Sequence, residues 1–521
     1  MITLIKNSQI IDGSGKPSFF GDVLIKNKKI TAVERHLNYR GADKIIEARG
    51  LYLMPGFIDV NTDSDHYLTI FSNPSQESFL LQGVTTIVGG NCGSSLAPLI
   101  RGTLESVQKW GDIERFSIGW RTLDDFFEVI KRIGLGVNFG TLIGHSTIRN
   151  PFLFKNSKGA GSPRFSFQDR DLTEGELEKL KYILREALDQ GALGLSLGLG
   201  YVSSGRAPYF ELKELSRLTA SKNKVLAVHL RNYESHLMDS ISEIIKLASE
   251  TGVKTEINHL RPRRGFEKDW QFSLEALDKF SHEADINFDF YPYDFSSQPI
   301  SILLPEWLRE NSDKFLKEQI LEEIKEVKLK GKEIIISQAP GNECLVGKSL
   351  TEISKNQKLT LPKALLKIME VCRMKVTVFV KDSNSRLLTQ MIDHRQSFIA
   401  SNDASYPHPK IFGGGGSPAN KEKILLHPRS LSTFPKYLSL IKKHKLLTLE
   451  EGVQKISQAP ALKFSLKLRG LIKEGYFADL VLFDFNNLNE QSRALYTIIN
   501  GAVVVEKSQF NGKKAGKIIR S

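Results

Sequence analysis

Eight short apolar runs, separated by stretches of helical periodicity, occupy the chain between Met54 and about residue 460. Strands that alternate with helices are typical of a parallel sheet covered by helices. Leu177–Leu188 and Ile241–Leu247 are two of the helical patterns. The runs are residues 56–60, 84–90, 136–144, 192–198, 224–229, 254–259, 285–291 and 397–402. Eight such units favour the α/β class, as a TIM-like (β/α)8 barrel rather than an open doubly wound sheet.

Both ends of the chain lack the helical pattern. Residues 1–54 predict short strands with tight turns, and residues 462–521 contain the strand-like runs Phe477–Phe483 and Ala502–Val505. Two β-rich ends that bracket a barrel can pair into one small β-domain. We therefore predict that 1–54 and 462–521 form one domain and that 55–461 form the barrel.

The gap between the last two predicted strands is too long for one crossover. Residues 300–385 contain a charged helical segment, Trp307–Lys328, then a strand, Glu333–Ser337, then another helical pattern. This predicts an α/β insertion on the barrel rim. Gly413–Gly416 predicts a flexible loop, because no Lys-Ser/Thr follows as a nucleotide-binding loop requires.

Composition excludes several classes of protein. The net charge of +13 is distributed in short, separate clusters, which predicts a solvated lysine-rich surface and no nucleic-acid partner. No apolar run approaches the ~18 residues that span a membrane, and the N-terminus lacks the pattern of a signal peptide. Three scattered cysteines are too few for a disulfide framework. We expect a cytoplasmic protein; the oligomeric state stays open.

Four residues suited to metal chemistry lie at or just after the ends of predicted strands: Cys92, His229, His259 and Asp403. One thiolate and two imidazoles are ligands of a tetrahedral zinc site with one open position. A carboxylate beside such a metal can move protons for a bound water. The carboxyl ends of parallel barrel strands converge at one mouth, so we expect these four side chains to lie there together.

Several segments, in this order along the chain, resemble the amidohydrolase superfamily, most closely its D-aminoacylase (N-acyl-D-amino-acid deacylase) family. They cover nearly the whole sequence. The segments are Pro55–Asp59, Gly83–Gly93, Gly144–Arg149, Val228–Arg231, Ile257–Arg261, Tyr291–Tyr293, Ser401–Asp403, His427–Arg429 and Arg469–Asp479.

The resemblance implies a (β/α)8 barrel with a β-sandwich built from both termini, and hydrolysis of a non-peptide C–N amide bond. The family's tightly held zinc has ligands that match Cys92, His229 and His259. Asp403 matches the acid/base aspartate after strand 8, which also lies at the metal. We expect one tightly bound zinc ion per chain and a small N-acyl amino acid, or a related amide, as substrate.

The sequence departs from the family at the end of barrel strand 1. The family usually has His-x-His there as ligands of a second metal, whereas this chain has Asn61-Thr-Asp63. Asp63 can still bind a hard cation, but an amide such as Asn61 is a poor ligand. Asp65 and His66 follow and could substitute in part. The second site is predicted to be weakened or absent.

Three residues near the predicted strand ends are candidates for substrate binding. An N-acyl amino acid carries a carboxylate, which suits a guanidinium group. Arg261 lies two residues after His259, where the family often has lysine. Tyr291 and Tyr293 end strand 7 at the same predicted mouth, where one of them could bond the substrate.

Two alternatives remain open. The first is a cyclic amidase of the dihydroorotase or hydantoinase type. Those relatives generally use a carboxylated lysine after strand 4, and Gly194–Gly198 contains none. The second is an inactive amidohydrolase-like scaffold that binds a ligand or a partner, as the loss of His-x-His suggests. Retention of Cys92, His229, His259 and Asp403 argues against it.

Overall fold

The computed structural model describes residues 1–100, 107, 118–157, 164–168, 170–304, 331–372, 375–406 and 424–521. The strands are β1 Ile2–Ile10, β2 Phe19–Lys26, β3 Lys29–Glu34, β4 Lys44–Glu47, β5 Tyr52–Pro55, β6 Phe57–Asp59, β7 Val84–Gly89, β8 Asn138–Thr141, β9 Ile143–Gly144, β10 Phe154–Ser157, β11 Arg164–Phe167, β12 Gly194–Gly198, β13 Val225–His229, β14 Lys254–Ile257, β15 Ile286–Phe290, β16 Ser296–Pro299, β17 Ile334–Gln338, β18 Thr377–Val380, β19 Ser397–Ile399, β20 Leu480–Phe483, β21 Tyr496–Ile499, β22 Ala502–Glu506 and β23 Gln509–Phe510.

The α-helices are α1 Thr69–Ser72, α2 Glu77–Leu81, α3 Leu123–Ile133, α4 His145–Leu153, α5 Glu174–Asp189, α6 Val202–Gly205, α7 Tyr209–Ser221, α8 Leu237–Thr251, α9 Glu267–Lys279, α10 Leu350–Asn356, α11 Leu361–Val371, α12 Ser385–Gln390, α13 Arg429–His444, α14 Leu449–Lys455 and α15 Gln458–Lys463. Short 3-10 turns lie at Ile300–Leu303, Gly331–Glu333 and Glu343–Leu345. Among the described helices, none combines the length and apolarity needed to cross a membrane.

Each of the eight predicted barrel runs contains a strand. β6, β7 and β8 pair in parallel, and so do β9, β12, β13, β14, β15 and β19, in that order. Only Leu142 separates β8 from β9, so residues 138–144 serve both sheets. The chain is therefore an α/β protein whose parallel strands follow one another in chain order.

The ends of the first and last of these strands also meet. The Asn402 N–H donates to the Asn61 carbonyl at 2.8 Å, and the Asp63 N–H donates to the Asp403 carbonyl at 2.9 Å. The Asp59 carboxyl accepts the Ser401 N–H. The residues after β6 and β19 are thus neighbours at the carboxyl end of the sheet.

Side chains of β13 alternate between two apolar cores, as the period of two along a strand requires. Val225 and Ala227 pack with residues of other parallel strands, such as Val88. Leu226 and Val228 join the large core that contains the helices. A strand buried on both faces explains why the run is continuously apolar rather than alternating.

Strands from both chain ends form one nine-stranded sheet, here called the terminal sheet. The order is β23, β22, β21, β20, β5, β1, β2 and β3, with β4 also paired to β1. β20 pairs antiparallel with β5, which joins the C-terminal strands to the N-terminal ones. Ile25 of β2 and Val503 of β22 belong to one buried core although their strands lie far apart in the sheet order.

A second compact unit comprises Tyr293–Ser385 and the described part of Pro407–Pro428. It contains the antiparallel sheet β16-β18-β17, the helices α10 and α11, and a core of its own. β17 and the two helices confirm the strand and the later helical pattern predicted for the insertion. The predicted helical segment Trp307–Lys328 and the predicted loop Gly413–Gly416 lie outside the described residues.

Candidate metal centre

Three of the four predicted metal-site residues lie together. Cys92 follows β7, His229 ends β13 and His259 follows β14. Their ligand atoms all lie within 4.8 Å of one another, and the Cys92 Sγ is 3.6 Å from the His259 Nε2. The imidazole rings of His229 and His259 have centroids 4.7 Å apart and are nearly perpendicular. One sulfur and two ring nitrogens therefore converge from the carboxyl ends of three parallel strands.

The separation of Cys92 and His259 fits a tetrahedral zinc ion. With Zn–S of about 2.3 Å and Zn–N of about 2.0 Å, a tetrahedral angle places sulfur and nitrogen about 3.5 Å apart. The observed separation of 3.6 Å between the Cys92 Sγ and the His259 Nε2 matches that value. Three protein ligands leave a fourth position open, as in catalytic rather than structural zinc sites.

The backbone at two of the candidate ligands has an unusual conformation. Cys92 has φ of 52° and His259 has φ of 39°, so each residue takes a left-handed conformation where its strand ends. A Cβ on Gly200 would lie 2.8 Å from the His229 Nε2. Glycine at this position therefore leaves the space that the imidazole occupies.

Burial keeps the His259 imidazole neutral. Burial holds its pKa well below the ordinary range, and His229 and nearby arginines add to the effect. A ring nitrogen must be unprotonated to bind a metal. The electrostatics of the site thus favour the ligand form of this histidine.

Asp403 does not belong to the group of three ligand atoms. Its carboxylate accepts the Arg429 Nε–H at 3.1 Å, the Ser430 hydroxyl at 2.7 Å and the Ala404 N–H at 2.8 Å. Burial raises the pKa of this carboxyl, while the charge of Arg429 opposes that rise. Asp403 follows β19 at the same end of the parallel strands; its contact with a metal stays a prediction.

The polar side chains that follow β6 form hydrogen bonds with other groups of the protein. The Asp63 carboxylate lies 2.9 Å from the His66 Nδ1, and the His66 Nε2 lies 3.1 Å from the Ser94 carbonyl. Burial lowers the pKa of His66, but Asp65 and Asp63 outweigh it and raise the pKa to about 9. The Asp65 carboxylate accepts the Gly90 N–H at 2.6 Å. Asp63 therefore has a cationic partner within its own segment.

Arg261 and Tyr291 lie together, and a second arginine joins them. The Arg261 guanidinium lies 4.2 Å from the centre of the Tyr291 ring, and the Arg429 guanidinium lies 4.6 Å from it. All three side chains are buried. Sequence reasoning quoted Arg429 only as part of a motif and did not assign it a role.

Tyr293 belongs to the second unit and is described there. Its ring centroid lies 5.4 Å from that of His427 and 6.0 Å from that of Phe295. The His427 Nε2 lies 3.1 Å from the Phe295 carbonyl oxygen. The substrate-binding role predicted for Tyr293 stays a prediction.

Sequence reasoning also missed Asp289 of β15 and the tyrosines beside the ligands. Tyr201 lies 4.7 Å from the His229 ring and Tyr233 lies 5.1 Å from the His259 ring, measured between centroids. Nothing in the spacing of these tyrosines indicates the site. Asp289 had a signal: it is a carboxylate inside the buried run 285–291, where an acid needs specific partners.

The chain is similar to several known proteins. Residues 385–505 match the family model described as "Amidohydrolase family". The chain is 26% identical to a D-aminoacylase of Alcaligenes xylosoxydans xylosoxydans, and the alignment covers 99% of this chain and 97% of that protein.

Two solved structures show the same fold. The N-acyl-D-glutamate deacylase of Bordetella bronchiseptica, complexed with zinc and a phosphonate mimic of the tetrahedral intermediate, has a TM-score of 0.80 at 22% identity, covering 100% of this chain and 99% of that one. A D-aminoacylase with a binuclear metal centre, described by one-metal activation and second-metal attenuation, has a TM-score of 0.77 at 24% identity and the same coverage. At these identities, the likeness concerns the fold.

Proposed function

We propose that this chain, which belongs to the amidohydrolase superfamily and within it to the D-aminoacylase family, is a zinc-dependent hydrolase that deacylates N-acyl-D-amino acids. The observation that carries the proposal is the group formed by Cys92, His229 and His259, with Asp403 at the same end of the parallel strands. A full-length relative with D-aminoacylase activity supports the substrate class.

Zinc held by the three ligands would lower the pKa of a bound water and stabilise negative charge that develops on the amide oxygen. Asp403 then acts as the acid/base. Its carboxylate takes the proton of the attacking water and delivers it to the leaving nitrogen. Burial raises the pKa of Asp403, which makes this carboxylate a better proton acceptor than an exposed aspartate.

We propose one zinc ion per chain. Asp63, an acid that could serve a second metal, bonds to His66, and the Asn61 amide donates to Asp289. Binding a second cation through the Asp63 Oδ1 would have to displace His66, and the amide of Asn61 is a poor metal ligand. The D-aminoacylase described by one-metal activation offers a precedent for activity with a single ion.

Arg261 and Arg429, which both lie beside the Tyr291 ring, are proposed to bind the substrate carboxylate. Two buried guanidinium groups beside one aromatic ring create a positive environment that attracts an anion. Charge-assisted hydrogen bonds from arginine to carboxylate are among the stronger ones in proteins. The Asp403 carboxylate orients Arg429 through its Nε.

The proposal also covers the closure of the parallel strands and the domain organisation of the chain. We propose that the parallel strands close into a (β/α)8 barrel between β19 and β6, where residues 401–403 bond to residues 59–63. The terminal sheet would then form the sandwich, since strands distant in its order share one core. The proposed domains are 1–54 with 462–521, and 55–461. A cytoplasmic location accords with three described cysteines that form no disulfide.

A stereochemical panel tests the function. Purified, zinc-loaded protein is incubated with N-acetyl-D- and N-acetyl-L-amino acids and with a cyclic amide, and the released amino acid is identified on a chiral column. We expect hydrolysis of the D-series. Hydrolysis of the cyclic amide alone, or no hydrolysis of any compound, would contradict the proposal.

The carboxylate site is tested with Arg261→Met. This change removes the charge but keeps an apolar stem over Tyr291. We expect kcat/KM for N-acyl-D-amino acids to fall roughly 10- to 100-fold, mainly through KM, as expected for a lost hydrogen bond to a charged group. An unchanged KM would remove Arg261 from substrate binding.

A further inference from the structure

Asp289 of β15 binds the backbone at the metal ligand His259. Its Oδ1 accepts the His259 N–H at 2.9 Å. Its carbonyl oxygen accepts the N–H of the next residue, Leu260, also at 2.9 Å. Regular pairing of β14 with β15 ends at Ile257. The side chain and the main chain of Asp289 thus continue the hydrogen bonding between β15 and the β14 segment beyond the last regular strand pair.

The backbone conformation of His259 requires a stabilising interaction such as this hydrogen bond. Its φ of 39° lies in the left-handed region, which non-glycine residues occupy only when the surroundings impose it. The hydrogen bond from its N–H fixes the peptide unit that sets this φ. The direction of the imidazole, and so the position of its Nε2 beside the Cys92 Sγ, depends on that backbone.

Two amides hold the Asp289 carboxylate in turn. The Asn61 Nδ2 lies 3.1 Å from Oδ2 and 3.3 Å from Oδ1, and the Asn258 Nδ2 lies 3.1 Å from Oδ2. All of these side chains are fully buried. A buried carboxylate is costly without donors, so the position of Asp289 depends on both amides.

Asn61 is itself fixed by two strand ends. Its carbonyl accepts the Asn402 N–H at 2.8 Å, and its N–H donates to the Asp59 carboxyl. A continuous path of hydrogen bonds therefore runs from the segment beside Asp403, through Asn61 and Asp289, to the backbone of His259. It lies where the family usually has a histidine ligand of a second metal.

We propose that Asn61 is a positioning residue for the metal ligand His259 and acts through Asp289. Asn61 holds the carboxylate, the carboxylate holds the His259 backbone, and the imidazole is thereby presented in the geometry that the ion requires. The inference rests on the proposed function, since it assumes that Cys92, His229 and His259 bind a metal. Asn61, which stands where the family usually has a histidine ligand of a second metal, would thus serve the metal site of Cys92, His229 and His259.

Metal affinity tests the proposal without using activity. Zinc dissociation constants are measured by competition with a chromophoric chelator, and the absorption spectrum of the cobalt-substituted protein reports ligand geometry. For Asn61→Ala we expect zinc affinity to fall about 10- to 100-fold, the range typical of groups that orient metal ligands. The cobalt spectrum should shift. Asn258→Ala should change both quantities in the same direction.

A matched control is Asn287→Ala. Asn287 lies on the same strand as Asp289 and donates its amide to the Gln396 carbonyl at 3.2 Å, away from the Asp289 carboxylate. We expect its zinc affinity and cobalt spectrum to match those of the wild type. A fall equal to that of Asn61→Ala would mean that any lost amide bond near β15 disturbs the site, and the proposal would be wrong.

A double-mutant cycle tests the route through Asp289. In an Asp289→Asn background, Asn61→Ala should cost much less zinc affinity than in the wild type, because the shared partner is already changed. An equal loss in both backgrounds would overturn the proposal. If Asn61→Ala does not fold, Asn61→Leu, which keeps a side chain of similar size and removes the donor, is read in the same way.

The experiments distinguish failure of the proposed zinc-dependent function from failure of the proposed role of Asn61. If the wild type binds no zinc, the proposed function fails. If the wild type binds zinc and Asn61→Ala binds it equally well with the same cobalt spectrum, the proposed function stands and only the role of Asn61 is wrong.

Discussion

Single residues set the charges on which the proposed chemistry depends. Burial keeps His259 neutral, which is the form that binds a metal. Burial also raises the pKa of Asp403, while Arg429 limits the rise. At Asp63, by contrast, a nearby His66 supplies positive charge from within the chain. The candidate site therefore combines a neutral imidazole, a buried carboxyl with a raised pKa and an acid that is already paired.

Asp403→Asn tests the acid/base role. The amide side chain can still accept the Ala404 N–H through its oxygen, but it cannot carry a proton from water to the leaving nitrogen. We expect turnover to fall on the order of 100-fold or more while zinc content is unchanged. Zinc content and kcat are measured on the same preparation. Loss of zinc would make Asp403 a ligand, and normal turnover would remove it from the mechanism.

Cys92→Ala tests the ligand set. We expect loss of tightly bound zinc and of activity together, with the fold retained, because the large apolar core of this protein does not depend on one ligand. Metal analysis and circular dichroism report the two properties. Cys344→Ala, which removes an exposed thiol, is the control and should keep its zinc. Full zinc occupancy in Cys92→Ala would show that the thiolate does not bind the ion.

At the scale of elements, the junction of β6 and β19 depends on a buried acid. Asp59 ends β6, and its carboxyl accepts the N–H groups of Ser401 and Asn61. Burial raises the pKa of Asp59 to about 8, although these hydrogen bonds oppose the shift. The native junction therefore holds a protonated carboxyl at neutral pH.

This pKa gives a stability prediction for Asp59→Asn. The unfolded chain releases the Asp59 proton near pH 4, whereas the native state keeps it to about pH 8. Between these values the native state holds one more proton, so the free energy of unfolding falls as pH rises, by up to about 1.4 kcal/mol per pH unit. Asn has no such proton. Urea unfolding at pH 5 and at pH 7 should show a smaller decrease in the variant; an equal decrease would contradict the raised pKa.

The predicted elements agree with the structure where the signal is local. Continuous apolar runs located the parallel strands, because strands buried on both faces need apolar residues throughout. The convergence of Cys92, His229 and His259 could be predicted because each stands at or just after the end of such a run. The path through Asn61, Asp289 and the His259 N–H could not, since it depends on which side chains face each other across three strands.

At the scale of the whole molecule, polar contacts bind the terminal strands to the parallel sheet. The Asp479 carboxylate pairs with Arg469 and accepts the amide of Asn138, which lies on β8. The Asn138 Oδ1 in turn accepts the amide of Asn500. A buried pair whose partners are all satisfied favours one arrangement over others. Distant parts of the sequence thus share one polar cluster, which no local pattern in the sequence predicts.

Titrating the metal-free protein with zinc tests the proposed single-zinc site. Metal is removed with a chelator, zinc is added in known equivalents, and hydrolysis of an N-acetyl-D-amino acid is measured at each step. We predict no activity without metal, a linear rise to one equivalent per chain and a plateau beyond it. Activity that requires two equivalents would contradict the single three-ligand site, and an inert protein at every zinc level would contradict the proposed function.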